Sequence, residues 1–243
     1  MNIENHNQSI LPIVYIIILN YNGWADTIEC LESLLRIDYP NYQIIVVDNH
    51  SADGSPGYLQ AWAKGELDVW VNPARPLRRL SHPPVEKPLP YRVYHQRDIE
   101  NNPSSFRIGI ESGQTLSPRN PLIFIQAEEN YGFTGGNNIG IKFALGQFAD
   151  YVLLLNNDTV VTPSFLTELV RYEGKFSGSV ITGGKIYYYD FPGRVWTAGG
   201  GWFIKFTGMA RANLSENQEA DGSRENRHLD FITGCLILVK RDI

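Results

Sequence analysis

The stretch Ile13-Val14-Tyr15-Ile16-Ile17-Ile18-Leu19, closed by Asn20-Tyr21-Asn22-Gly23, decides how the rest of the chain is read. Seven consecutive apolar residues rich in β-branched side chains fit a strand buried on both faces, as in a parallel sheet covered by helices. The polar cluster after it is turn chemistry, and Asn22 is placed to cap a helix. Trp24, Ile28, Leu31 and Leu35 then recur at spacings of four, three and four, which is one helical face. A turn at Tyr39-Pro40-Asn41 leads into Ile44-Ile45-Val46-Val47 and then Asp48-Asn49. Strand, helix and strand in so short a span make a βαβ unit with a right-handed crossover.

The rhythm returns downstream. Leu122–Ile125 reads as a strand, followed by a Gly/Asn-rich turn and helical spacing at Ile141, Leu145 and Phe148. Tyr151–Leu155 is the next strand and ends on Asn156-Asn157-Asp158. Thr162-Pro163 reads as an N-cap and first turn, with Phe165, Leu166, Leu169 and Val170 as the buried face. The fold class is therefore α/β: a mostly parallel, Rossmann-like central sheet flanked by helices in a single domain. Residues 1–12 form a polar tail and 66–120 an insertion. Residues 121–176 form a second α/β half and 177–243 an aromatic, glycine-rich part.

The insertion is set apart by composition. Pro73, Pro76, Pro83, Pro84, Pro88, Pro90 and Pro103 crowd into it, with Arg75, Arg78, Arg79, Lys87, Arg92, Arg97 and Arg107. Proline lacks an amide donor and restricts the residue before it, so long helices and central strands are not expected there. A surface linker and a lid facing a substrate are both compatible with this texture.

The 243 residues suffice for a sizeable core. With 21 basic and 26 acidic side chains the net charge is −5, which argues against a protein that lives on nucleic-acid phosphates. Two cysteines, Cys30 and Cys235, make neither a disulfide framework nor a metal knuckle. His6, His50, His82, His95 and His228 show no zinc-ligand spacing. The longest apolar run is too short to span a bilayer, and nothing ahead of it reads as a signal peptide, so a cytoplasmic setting is expected.

Ligands of parallel α/β sheets bind beyond the carboxyl ends of the strands. Three of those ends are polar here: Asn20-Tyr21-Asn22, Asp48-Asn49 and Asn156-Asn157-Asp158. Each alone is ordinary turn chemistry. Together they sit on one edge of one sheet. The turn Asn130-Tyr131-Gly132-Phe133-Thr134-Gly135-Gly136-Asn137-Asn138 joins them, and glycines before a helix admit a diphosphate to backbone amides. Its spacing matches neither a dinucleotide fingerprint nor a Walker loop.

On these blocks the chain resembles family-2 glycosyltransferases. Ile16–Asn22 followed by Val46–Ser55 looks like their opening, and Asn130–Asn138 followed by Leu153–Asp158 looks like their second block, most similar to the rhamnosyltransferase-type branch. Asp230-Phe231-Ile232-Thr233-Gly234-Cys235 resembles a third. The resemblance implies a GT-A fold, a UDP-, dTDP- or GDP-linked sugar donor, inversion at the anomeric carbon and a saccharide or lipid-linked acceptor. It further implies action in the cytoplasm or at the inner face of a membrane, with peripheral membrane contact. By the same resemblance Asn20, Tyr21, Asn22 and Asp48 hold base and ribose, and Asp53 supports that pocket. Gly132, Gly136, Asn137 and Asn157 lie along the donor, and Asp158 reaches Mg²⁺ or Mn²⁺. The family's usual base is an Asp beyond the position of Ile243, so the chain reads as cut short, with Asp230 as the stand-in base. The alternative is a nucleotide-sugar-binding module without turnover. A nucleotidyltransferase would want a lysine in the first loop, which Asn20-Tyr21-Asn22-Gly23 lacks. Trp196, Trp202 and Tyr187–Tyr189 fit either an acceptor-stacking surface or core packing.

Overall fold

A computed structural model describes residues 11–69, 71–101, 122–175, 181–212 and 229–242. Most of the N-terminal tail lies outside these residues, as do Pro103, Arg107, His6 and His228. The first strand, β1, runs Val14–Asn20 and is followed by α1 (Trp24–Leu34), β2 (Tyr42–Asp48) and α2 (Ser55–Lys64). The insertion contributes a 3₁₀ turn at Arg78–Leu80, β3 (Tyr91–His95) and α3 (Gln96–Asn101). β4 (Leu122–Gln126), α4 (Gly132–Gly146), β5 (Tyr151–Asn156) and α5 (Phe165–Glu173) complete the α/β frame. After it come the short strands β6 (Ile181–Thr182), β7 (Lys185–Tyr187), β8 (Val195–Ala198), β9 (Gly200–Ile204), β10 (Met209–Ala212) and β11 (Phe231–Ile232), then β12 (Leu236–Lys240).

The main sheet has the order β3-β4-β2-β1-β5-β12-β6. β3, β4, β2, β1 and β5 are all parallel, and β12 returns antiparallel to β5. β1 lies at the centre, and Val14 to Ile18 are inaccessible to solvent. Each such side chain contributes about 1.5–3 kcal/mol relative to exposure. β1's alternate residues feed two cores. Ile16 and Ile18 face α1, α2 and α5, while Tyr15 and Ile17 face α4. A three-stranded sheet, β10-β9-β11, and a β7-β8 pair lie apart from the main sheet.

Three local expectations need correction. Asn22 does not cap α1: the N-cap is Gly23, and Asn22 adopts φ 52° with its Oδ1 accepting the Ala52 amide. Thr162-Pro163 does not open α5, which starts at Phe165 after Ser164, because the Pro163 carbonyl accepts the Asp38 amide instead. The helical spacing of Ile141, Leu145 and Phe148 runs past α4, which ends at Gly146, and does not mark its inward face. Leu145 and Phe148 are exposed, and Gly136, Ile139, Gly140, Phe143 and Ala144 point inward. The Gly/Asn-rich segment is largely the first turns of that helix. A Cβ on Gly136 would stand 2.4 Å from Leu19 Cδ1, and one on Gly140 would stand 2.7 Å from Ile17 Cγ2. The small residues let α4 lie close against β1, and a count of large apolar side chains misses that face.

The described part of the insertion is docked on the core. β3 takes an edge of the main sheet, where proline-flanked strands are tolerated. Glu32 of α1, fully buried, accepts the Trp62 indole N–H at 2.9 Å, the Val85 amide at 2.7 Å and the Lys87 ammonium. Arg75 pairs with Asp190 at 3.2 Å and lies 4.8 Å from the centre of the Tyr189 ring. Tyr189 in turn donates to Glu29; burial and that carboxylate hold its phenol above the ordinary value. No helix among the described residues is long and apolar enough to cross a membrane.

Candidate functional site

Parallel pairing brings the carboxyl ends of β4, β2, β1 and β5 to one edge. Gln126 pairs with Asp48, Asp48 with Asn20, and Leu19 with Asn156. Each polar end arises because its strand stops there and the next residues must turn.

The three ends are joined by one hydrogen-bonded row. Asn157 Nδ2 donates to Thr27 Oγ1 at 3.0 Å, Thr27 Oγ1 donates to Asn20 Oδ1 at 2.8 Å, and Asn20 Nδ2 donates to Asp48 Oδ1 at 2.7 Å. Asp48 Oδ2 accepts the Ser51 amide at 3.0 Å, and Ser51 Oγ accepts from Asn20 Nδ2 and from the Asn22 amide. Asn20 and Thr27 are fully buried and Asp48 is 6% exposed. Polar groups so enclosed hold their geometry because an unpaired one costs about 1–3 kcal/mol. The loops around them are bent into positive φ at Asn22 (52°) and His50 (64°), a region that non-glycine residues seldom occupy.

A second set of bonds ties β2 to the start of α4. Asn49 Nδ2 donates to Asn130 Oδ1 at 2.8 Å and to the Gly132 carbonyl at 3.2 Å, while Asn49 Oδ1 accepts the Tyr131 amide at 3.1 Å. Asn137 Nδ2 donates to the Phe133 carbonyl at 2.8 Å.

A cleft of about 120 Å³ opens beside this edge, bounded by Leu19, Phe133, Asn137, Asn156, Asn157, Asp158 and Gly234. Of the residues singled out from the sequence, Asn137, Asn157 and Asp158 line it. Asp48 faces a smaller hollow instead, with Pro56, Leu59, Gln60, Phe124 and Gln126. Asn20 lines neither and is buried within the row, between Thr27 and Asp48. Tyr21 and Asn22 are exposed on the rim. Asp53 Oδ1 accepts the amide and hydroxyl of Ser55, so it fixes the entry to α2. Gly132 opens α4, and Gly136 is buried against Leu19 and Asn49. Asp230 does not line the cleft: its Oδ2 accepts the Phe203 amide at 2.8 Å beside the three-stranded sheet. Trp196 and Tyr187 are exposed, on the β7-β8 pair.

Thr27 and Ser51 were not distinguishable in the sequence. A threonine one turn into an amphipathic helix is unremarked by pattern, and only its place seven residues after Asn20, back along the sheet edge, gives it a partner. Burial raises the Asp26 carboxyl above its ordinary value, and Asp158 and Glu29 add to the rise. Burial also pushes the Cys30 thiol up to about 12 and the Cys235 thiol to about 11, with Asp158 contributing to both.

Among the described residues no three His, Cys, Asp or Glu side chains converge as a metal cage. The donor set that exists is one carboxylate, Asp158, beside amide oxygens. That set fits Mg²⁺ or Mn²⁺ bound jointly with phosphates, since such ions take one or two carboxylates and complete their shell with substrate oxygens and water.

Comparison with known proteins follows the same lines. No curated protein matches the chain. Among solved structures it is similar to the mannosyltransferase PcManGT from Pyrobaculum calidifontis, in complex with GDP-Man and Mn²⁺. That match has 16% identity and a TM-score of 0.51, over 96% of this chain and 46% of the other. It is also similar, at 16% identity and a TM-score of 0.40, to S. aureus TarS 1-349 in complex with UDP-GlcNAc, over 72% of this chain and 34% of that one. The chain thus spans under half the length of these proteins, and the first likeness establishes a GT-A-like α/β fold. The family model described as glycosyl transferase family 2 matches residues 15–74 and 114–243, leaving out much of the proline-rich insertion. With that match over most of its length, the chain belongs to glycosyl transferase family 2.

Proposed function

We propose that this chain forms the donor site of an inverting glycosyltransferase, of the rhamnosyltransferase-like branch, which moves a sugar from a nucleotide diphosphate to a saccharide or lipid-linked acceptor. The observation that carries this reading is the hydrogen-bonded row from Asn157 to Asp48, which ties a cleft holding a lone carboxylate to the polar ends of the next two strands. The row runs along one edge of the sheet, so a single extended ligand can meet the cleft and the neighbouring strand ends together. Asp48, Asn20 and the Tyr21-Asn22 rim take the nucleoside, with Asp53 bracing their loop, and the Gly132–Asn137 end of α4 lies along the diphosphate. Asn157 and Asp158 hold Mg²⁺ or Mn²⁺ with the phosphates. A divalent ion there supplies Lewis-acid stabilisation of charge on the leaving diphosphate.

In the reaction, the acceptor hydroxyl oxygen forms a bond to the anomeric carbon as the bond from that carbon to the diphosphate oxygen breaks. The hydroxyl proton passes to a general base. Within this chain Asp230 is the candidate for that role. The protein works in the cytoplasm or peripherally at the inner face of a membrane, where a lipid-linked acceptor is presented.

One observation favours a second reading, a nucleotide-sugar-binding module without turnover: Asp158 is the one carboxylate lining the cleft among the described residues, and Asp230 is engaged elsewhere. Calorimetric titration with UDP, dTDP and GDP, each with and without Mn²⁺, tests the donor site. Binding of one nucleotide, strengthened by Mn²⁺, is expected; no binding of any refutes it. Sugar release from the matching nucleotide sugar then separates turnover from binding alone.

A further inference from the structure

We infer that Thr27 is a positioning residue that turns the oxygen end of the Asn157 amide toward the cleft, so that Asn157 Oδ1 and the Asp158 carboxylate together offer oxygen donors to a divalent cation. The inference rests on the donor-site reading above.

The far end of the row fixes the sense of every amide in it. A carboxylate can only accept, so Asn20 must present its NH₂ to Asp48, which it does at 2.7 Å. That leaves Asn20 Oδ1, fully buried, in need of a donor, and Thr27 Oγ1 at 2.8 Å is the donor it has. A hydroxyl has one proton. Whether Thr27 spends it on Asn20 Oδ1 or on the Gly23 carbonyl at 2.9 Å, none remains for Asn157. Asn157 must therefore present its own NH₂ to Thr27 Oγ1, at 3.0 Å, and that NH₂ also lies 3.4 Å from the Gly23 carbonyl. Both neighbours demand a donor. Turning the amide over would set its oxygen against two acceptor oxygens. Asn157 Oδ1 is then the free end, and it accepts no hydrogen bond among the described residues.

Asn157 lines the cleft next to Asp158. Amide oxygens are hard ligands that suit Mg²⁺ and Mn²⁺, while an amide NH₂ repels them. The sense of one half-buried amide decides whether the site offers one oxygen-bearing side chain or two. Thr27 sets that sense without touching the ligand.

The test measures how far Mn²⁺ strengthens binding of whichever of UDP, dTDP or GDP binds best, by calorimetry, with free Mn²⁺ counted by electron paramagnetic resonance. Thr27→Val keeps the shape and removes the hydroxyl. It is expected to cut the Mn²⁺ enhancement about 10-fold or more, the usual cost of losing a residue behind a metal ligand. Thr27→Ser is expected to restore it. In an Asn157→Asp background the side chain has two equivalent oxygens, so adding Thr27→Val is expected to change the enhancement by less than about twofold. Should Thr27→Val fail to fold, Thr27→Ala, which also lacks the hydroxyl, is read in its place, with the same loss expected. An unchanged enhancement in the variant without the hydroxyl, or an equal loss in Thr27→Ser, overturns the inference. A parent protein that binds nucleotide with no Mn²⁺ enhancement overturns the metal reading along with it.

Discussion

Asn20 and Asp48 end adjacent parallel strands, and their side chains meet in a buried 2.7 Å hydrogen bond. The strand pairing aligns them, so the bond is built into the register. It holds the Asp48 carboxylate still while its second oxygen takes the Ser51 amide. A group fixed this way is ready to receive a ligand without reorganising.

Asp48→Ala is therefore expected to weaken nucleotide binding with or without metal, by about tenfold or more, since a charge-assisted hydrogen bond contributes about 1.5–3 kcal/mol. Titration of the variant in EDTA checks this. Equal affinity in variant and parent would remove Asp48 from the binding site.

Asp158→Ala is expected to leave metal-free nucleotide affinity within about twofold of the parent while abolishing the Mn²⁺ enhancement, because the carboxylate acts through the cation. The same titration in Mn²⁺ checks it, and a variant still strengthened by Mn²⁺ would move the cation elsewhere.

Asp230→Asn separates two roles. The amide oxygen can still accept the Phe203 N–H, so the turn into β11 should hold. If Asp230 takes the acceptor proton, kcat is expected to fall about 100-fold or more with KM for the donor unchanged. A variant with full turnover would assign the base to another group.

The lock between the insertion and the core can be tested by stability alone. Lys87→Ala leaves the buried Glu32 with only the Arg36 guanidinium at 3.7 Å as a cation and is expected to cost about 3 kcal/mol in urea unfolding, the low end for breaking a buried pair. A loss of under about 1 kcal/mol would show that Arg36, Trp62 and Val85 suffice for that carboxylate.

Asp26 gives a pH signature. Its folded-state pKa is raised above the ordinary 3.8, mainly by burial and then by Asp158 and Glu29. A group raised on folding favours the folded state while protonated, and this contribution is lost as pH climbs through the folded value. In metal-free buffer, Asp26→Asn is expected to melt above the parent at pH 7, with the gap closing as pH falls below 3.8. A gap that widens toward acid would reverse the assignment.

The parts that were legible in sequence share one property: they are repetitive. Runs such as Ile13–Leu19 and Tyr151–Leu155 declare buried parallel strands, and their polar ends declare an edge. What escaped depended on single atoms in space. Thr27 joins the site because α1 folds back across the sheet edge to Asn20. The inner face of α4 is marked by missing side chains at Gly136 and Gly140, to which hydrophobic periodicity is blind. The proline-rich stretch yielded an edge strand and a docked loop because Glu32, thirty-four residues before its start at Glu66, is buried and needs partners.

The tight seating of α4 on β1 makes the helix a spacer gauge for the cleft. Phe133 and Asn137 form part of the cleft wall, while Gly140, a turn further along, rides on Ile17. A methyl group added at that hidden contact would lever the helix outward and reset the gap in front of Asp158. The dimensions of what the recess admits can thus drift through changes at positions that no ligand ever meets.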